Sequence, residues 1–283
     1  MIKTSLRKSI FFMLSMLLLI ISCRKEEVKE AENYHAAKNN SYAENAFADI
    51  FKWVDDNHRW MEDSILGLGN SGTYVPMEGV NITYTPMDSL TYPKLLTINF
   101  GSAGVMCLDG KIRKGKIVAA ITGRHNKQGT VITIIPNNFY VNEYFMEGNY
   151  KVSCTGTNSS NNLVFKDEVT GGKLISPDGT IYWECNRTRE YIAGSITPWP
   201  NVFDDVYHIT GGSSGTDVTG RMYLTNIVDP LVLKMSCKWI TSGTLEITPE
   251  ELSVRTVDYG DGDCNPKAEV TIVDKTFNFI MSW

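Results

Sequence analysis

Histidine and cysteine are scarce, 4 and 6 among 283 residues, and neither falls at a metal-ligand spacing: the chain has no CxxC and no HExxH. The signatures of a zinc ribbon, a thioredoxin-like redox site and a zinc metalloprotease are therefore missing. Positive charge is also in short supply. The 27 Lys+Arg stand against 32 Asp+Glu without blocks of either sign, which leaves no basic face for nucleic acid. Long apolar runs are nearly absent. One occurs, at residues 10–21, about a dozen residues where roughly 20 are needed to span a bilayer, which excludes a polytopic helical membrane protein. No period of 30 to 50 residues is present, so a propeller or solenoid is not supported. With 23 Gly, 10 Pro, 42% hydrophobic and 21% charged residues, the composition is that of a globular body.

The first segment reads as an address. Lys3, Arg7 and Lys8 precede the apolar run, and small Ser22 and then Cys23 follow it. This is the layout of a secretory signal, and its Ile-Ile-Ser-Cys end resembles a bacterial lipobox, in which a small residue permits cleavage and the thiol is acylated. The expectation is a signal at residues 1–22 and a lipid on Cys23. Its removal takes away three positive charges and shifts the net charge from −5 to −8. Several acyl chains on one Cys anchor far more firmly than a single one, since each buried methylene adds about 0.8 kcal/mol. The next residues, Arg24, Lys25, Glu26 and Glu27, resemble the surface-export signal of Bacteroidota lipoproteins, and point to the outer membrane with the body displayed outside.

Residues 23–40 are polar and aperiodic, as suits a tether. From 41 to 65, Ala46, Phe47, Ile50, Phe51, Val54, Trp60, Met61 and Ile65 recur at three- and four-residue steps, which predicts an amphipathic helix capped by Ser41 with Glu44; Asp55-Asp56-Asn57 is where it would break. Residues 66–93, rich in Gly, Pro, Asn, Thr and Ser, read as a connection with a short strand near 80–84. Beyond it, about a dozen stretches dense in Val, Ile, Thr, Tyr and Phe predict an all-β domain at 94–283. Pro177-Asp178-Gly179, Asp109-Gly110 and Ser242-Gly243 would close hairpins and so favour antiparallel neighbours. Sandwich, barrel and half-barrel all fit this pattern.

Candidate sites are few. Of the five Cys after Cys23, the best pair is Cys237 with Cys264, on strands near the C-terminal end; Cys154 with Cys185 is a weaker pairing. Asp258, Asp261 and Asp263 in a Gly-rich turn offer hard oxygen ligands of the kind calcium takes. The EF-hand template fails there, with Pro266 at its glycine and Ile272 at its bidentate acid, so the turn reads as solvated acids and no metal or cofactor is expected. Asp204, Asp205 and His208 could supply acid and base, but adjacent residues of an extended chain face opposite ways. Gly211-x-Ser213-x-Gly215 matches a nucleophile-elbow spacing without the strand–helix alternation it needs, and reads as a hairpin loop. Trp183 and Trp199 could stack on sugars, and Arg187 and Arg189, on one face of a strand, could bind an anion; core packing for the aromatics and acid partners for the arginines are the favoured readings.

Taken together, Lys-Ile-Arg-Lys-Gly-Lys-Ile at 111–117, Gly-Thr-Val-Ile-Thr at 129–133, Asn-Asn-Phe-Tyr-Val-Asn at 137–142, Arg-Thr-Arg-Glu-Tyr-Ile-Ala-Gly at 187–194, Asp-Asp-Val-Tyr at 204–207 and Asp-Tyr-Gly-Asp-Gly-Asp-Cys at 258–264 resemble a family of Bacteroidota surface lipoproteins over roughly residues 90 to 283. The resemblance implies surface lipoprotein identity and an all-β body, and it brings no activity, cofactor or catalytic residue. Where such proteins continue Cys-Asp-Asn, this chain has Cys264-Asn265-Pro266. The resulting expectation is a lipid-anchored module that binds or scaffolds a glycan or protein partner at the surface. The alternative is a surface-anchored hydrolase acting on glycans.

Overall fold

The computed structural model describes residues 35–67, 77–197 and 202–281. Cys23, the segment before it, residues 24–34, residues 68–76 and Trp199 lie outside the described residues.

A single helix, α1 (His35–Leu66), opens the described chain. It starts six residues ahead of Ser41, which corrects the last part of the expected tether. The reason is tertiary: Asn39 Oδ1 accepts the Val218 N–H at 2.8 Å and Asn40 Oδ1 accepts the Trp183 indole N–H at 2.9 Å, so distant residues hold the first turns. Nor does α1 break at residues 55–57. Arg59 reaches back to Asp55 at 2.8 Å, Lys52 pairs with Asp56 at 2.9 Å, and Asn57 Nδ2 donates to the Trp53 carbonyl, so each polar residue finds a partner one turn away.

The strands are β1 (Asn81–Thr85), β2 (Lys94–Asn99), β3 (Val105–Met106), β4 (Ile112–Ile121), β5 (Val131–Val141), β6 (Tyr144–Thr157) and β7 (Leu163–Ser176). There follow β8 (Gly179–Ala193), β9 (Val206–Thr216), β10 (Met222–Lys234), β11 (Ile240–Pro249), β12 (Arg255–Asp261), β13 (Lys267–Ile272) and β14 (Lys275–Ile280). All pairings are antiparallel, and neighbours in sequence are neighbours in the sheet, apart from β3, which pairs with the outer part of β4. The ladder runs from β1 to β14 without closing, so this is an all-β meander and not a true barrel.

Tyr84 on β1, Arg113 on β4, Tyr150 on β6, Trp183 on β8 and Tyr207 on β9 all touch α1, so the sheet curves around the helix. That enclosure explains why α1 is buried on more than one stripe. Phe47, Ile50 and Val54 are all but inaccessible to solvent, each contributing about 1.5–3 kcal/mol by burial, and Asn57 and His58 are equally inaccessible. Alternation then sorts each strand: on β8 the odd positions from Ile181 to Tyr191 face α1 and the even ones from Tyr182 to Thr188 face solvent.

Two glycine segments are strand, not turn. The run Gly211–Gly215 lies inside β9, because a Cβ at Gly215 would stand 2.5 Å from the Tyr223 ring and one at Gly212 would stand 2.3 Å from the Thr225 carbonyl. Glycine is there to let β10 approach. Ser242-Gly243 likewise belongs to β11, where Gly243 sits at φ +109° in a bulge.

Cys237 and Cys264 form a disulfide with Cα atoms 5.6 Å apart. Cys154 and Cys185 do not pair; both are buried thiols, because β7 runs between their strands. Two strand spacings, about 9–10 Å, exceed what a disulfide can bridge.

The meander has two ends. The start of α1 lies with the turns after β5, β7 and β9, and its last turns lie with the loops after β4 and β8.

Candidate functional site

Arg59, in the last third of α1, gathers residues from three elements. Its Nε lies 2.8 Å from Asp55 and donates to His125 Nε2 at 2.9 Å; Nη1 donates to Asp205 Oδ2 and Nη2 to the Tyr207 hydroxyl, both at 3.3 Å. His125 is brought in by the β4–β5 loop, whose backbone N–H at that residue donates to Glu62 at 2.9 Å. Asp205 precedes β9 and is buried against Gly194, which sits at φ +92° and has no room for a Cβ, since one would lie 2.4 Å from Asp205 Oδ1. Tyr191 stacks on Tyr207 with ring centroids 4.4 Å apart. One residue back, His58 Nδ1 is 3.0 Å from the Tyr84 hydroxyl.

Burial and charge divide the titration of this cluster. Burial alone would raise Asp55, but Arg59 and His125 beside it hold its carboxyl well below the usual carboxylate range. Burial, aided by nearby His125, pushes His58 down to about 3, and burial pushes Tyr207 up to about 12. Asp205 and Glu62 move upward, both mainly by burial. Beneath the cluster lies a cavity of about 20 Å³ bordered by Phe51, Asp55, Arg59, His125, Arg189 and Tyr207. That is room for about one water.

β8 carries a second set. Arg187 pairs with Glu44 of α1, Arg189 pairs with Asp167 of β7 through two bonds of 2.9 and 3.2 Å, and Trp183 stacks on Phe47 at 5.5 Å. These three residues take the core and acid-pair readings and do not form a ligand surface: all sit at odd positions of β8, so the pleat that puts the two arginines on one face turns that face toward α1. The residue of β8 that does present an aromatic ring to solvent is Tyr182. On β4, Arg113 is locked in the same manner between Asp49 of α1, at 2.7 and 3.1 Å, and Asp109.

The acids flagged at the C-terminal end stay outside. Asp258, Asp261 and Asp263, with Glu269, Lys267 and Asn265, border an open groove of about 420 Å³. Asp258 Oδ1 accepts the Gly260 N–H at 2.8 Å and Lys234 Nζ donates to the Gly262 carbonyl at 2.8 Å, so the turn is organised by its own backbone. Among the described residues, no three His, Cys, Asp or Glu side chains come together as a metal-ligand set. Asp204 accepts from Thr197 at the surface while Asp205 points inward, so His208, opposite Glu190 on the outer side, is not joined to the buried acid. Ser213 is buried and bonded to Asn40 and Thr225, which removes the nucleophile reading of the glycine run.

Sequence reasoning missed Asp49, Asp55, Arg59, Arg113 and His125. Their partners are 64 to 146 residues away in four of the contacts above, at separations no local pattern encodes. The one available signal was the number of polar residues inside the apolar stripe of α1. The chain matches no protein-family model, no curated protein and no solved structure.

Proposed function

We propose that this protein is a lipid-anchored binding or scaffolding module of the outer membrane, acylated on Cys23 and displayed at the cell surface, where it contacts a glycan or protein partner. The observation that carries the binding half is the position of α1. A curved sheet ordinarily offers its concave side to a ligand, but here Asn40, Glu44, Phe47, Asp49 and Arg59 fill that side and bond or stack with the strands. Recognition then belongs to the convex face and the loop rims. On the convex face Tyr182 (β8), Thr216 (β9) and Met222 (β10) stand in one cross-strand row, with Leu224 two residues along, and Tyr182, Met222 and Leu224 are exposed. An aromatic ring flanked by apolar side chains on an open sheet face suits a sugar face or a protein patch. The anchoring half rests on the sequence of residues 1–27.

Protease shaving of intact cells, comparing the native protein with Cys23→Ala, tests the reading. It expects loss of the native band and release of the variant from the membrane fraction. A protected band overturns surface display, and membrane retention of Cys23→Ala overturns the lipid anchor.

A further inference from the structure

The direction of α1 fixes which end of the body faces the anchor. Between Cys23 and His35 there are twelve chain steps, a reach of at most about 40 Å. The 32 residues of α1 then run about 48 Å along the interior to the other end. The end at which α1 starts is therefore kept within about 40 Å of the leaflet, and the loops after β4 and β8 lie at the opposite end of the body. That near end consists of turns, and three of them lift apolar side chains into solvent: Leu108 in the β3–β4 turn at 98% exposure, Val254 before β12 at 44% and Val273 between β13 and β14 at 66%. Met106 and Ile112, paired across β3 and β4, are exposed beside Leu108.

We infer that this near rim rests on the lipid leaflet that holds the anchor, with Leu108, Val254 and Val273 inserted at the headgroup boundary. The inference depends on the acylation of Cys23 proposed above. Turn tips are suited to the role because their side chains project beyond the last hydrogen-bonded ladder, so insertion buries apolar surface without stripping paired backbone of its partners. The covalent anchor makes the contact intramolecular, so three side chains suffice where a free protein would need more. Charge works against the contact. Asp109, Glu250, Glu251 and Asp274 lie in the same turns and Glu143 in the neighbouring β5–β6 turn, with Lys111, Lys275 and Arg221 as the nearby bases, so the rim is net acidic and adding anionic lipid weakens the contact.

The test uses the native acylated protein in phosphatidylcholine vesicles, with an environment-sensitive fluorescent amino acid placed in turn at 108, 273, 90 and 196. Leu90 and Ile196 belong to the far end and are 84% and 95% exposed. The expected result is a blue shift and quenching by headgroup-level spin label at 108 and 273, no change at 90 and 196, and a reduced shift when phosphatidylglycerol is added. Leu108→Asp should lower the docked population by about tenfold, the fold-change corresponding to one buried leucine. Protein that floats with the vesicles while probes 108 and 273 stay in water, or while 90 and 196 are quenched instead, overturns the docking and leaves the anchor standing. Protein that does not float overturns the anchor and the docking with it.

Discussion

The charges around Arg59 and those around Asp258 are built from the same residue types and behave in opposite ways. Around Arg59, Asp55, Asp205, His125 and Tyr207 are packed between helix and sheet, and the guanidinium contacts each of them. Around Asp258, four acids border an open groove, and Asp258 bonds to its own turn. Burial decides what a charge does. Inside, removal of one partner leaves the other in a low dielectric, so the network fixes the placement of α1; outside, solvent screens each acid and little structure depends on it.

The rule for buried charge has its largest expected effect at a second inner pair, Arg113, which is 1% exposed and bidentate to Asp49. Arg113→Ala should cost about 3–5 kcal/mol, the range for an orphaned buried charge, read as a lowered denaturation midpoint. The pH dependence comes next. His58 is neutral and buried with its pKa lowered to about 3 from 6.5, so its stabilising contribution is complete above pH 6.5 and is lost as pH falls from there toward 3, where the unfolded chain takes up the proton first. Asp55, also depressed, adds a further loss below its unfolded value near 3.8. The raised Asp205 and Glu62 act in the opposite sense, so the readout is the difference between proteins: His58→Gln should remove the acid-side loss that His58 contributes above pH 4, measured as stability profiles of the native protein and the variant across pH 3–8.

Reduction of the Cys237–Cys264 bond, which closes 27 residues, should cost about 3 kcal/mol in the chain-entropy account, measured by unfolding with and without reductant. The smallest effect belongs to the outer acids. Asp258→Asn with Asp261→Asn and Asp263→Asn should change stability by no more than about 0.5 kcal/mol, as for surface substitutions away from special features. A large loss there would erase the contrast between the two regions.

Much of the fold was legible because strands announce themselves locally. The alternation of β8 and the turn at Pro177-Asp178-Gly179 follow from period and turn chemistry, and so does the antiparallel class. The errors fell where a distant group overrides a local cue. Gly212 and Gly215 read as a loop because nothing nearby shows Thr225 and Tyr223 pressing on β9. Asn39 and Asn40 read as tether because their partners, Val218 and Trp183, are more than 140 residues away. For the site, alternation put Arg187 and Arg189 on one face and left two readings open, acid pairing and an anion surface; only the curvature of the sheet around α1 says that this face is buried and decides for pairing.

The central claim is that α1 is a permanent part of the core, so that the concave side serves folding and the outside serves recognition. Native-state hydrogen exchange tests it most directly. The account predicts that amides of residues 36–61 exchange only with global unfolding, at the same free energy as those of β4 and β8. Exchange of α1 at a clearly lower free energy, as a separate opening unit, would contradict it and would make the concave face a binding site covered by a displaceable helix.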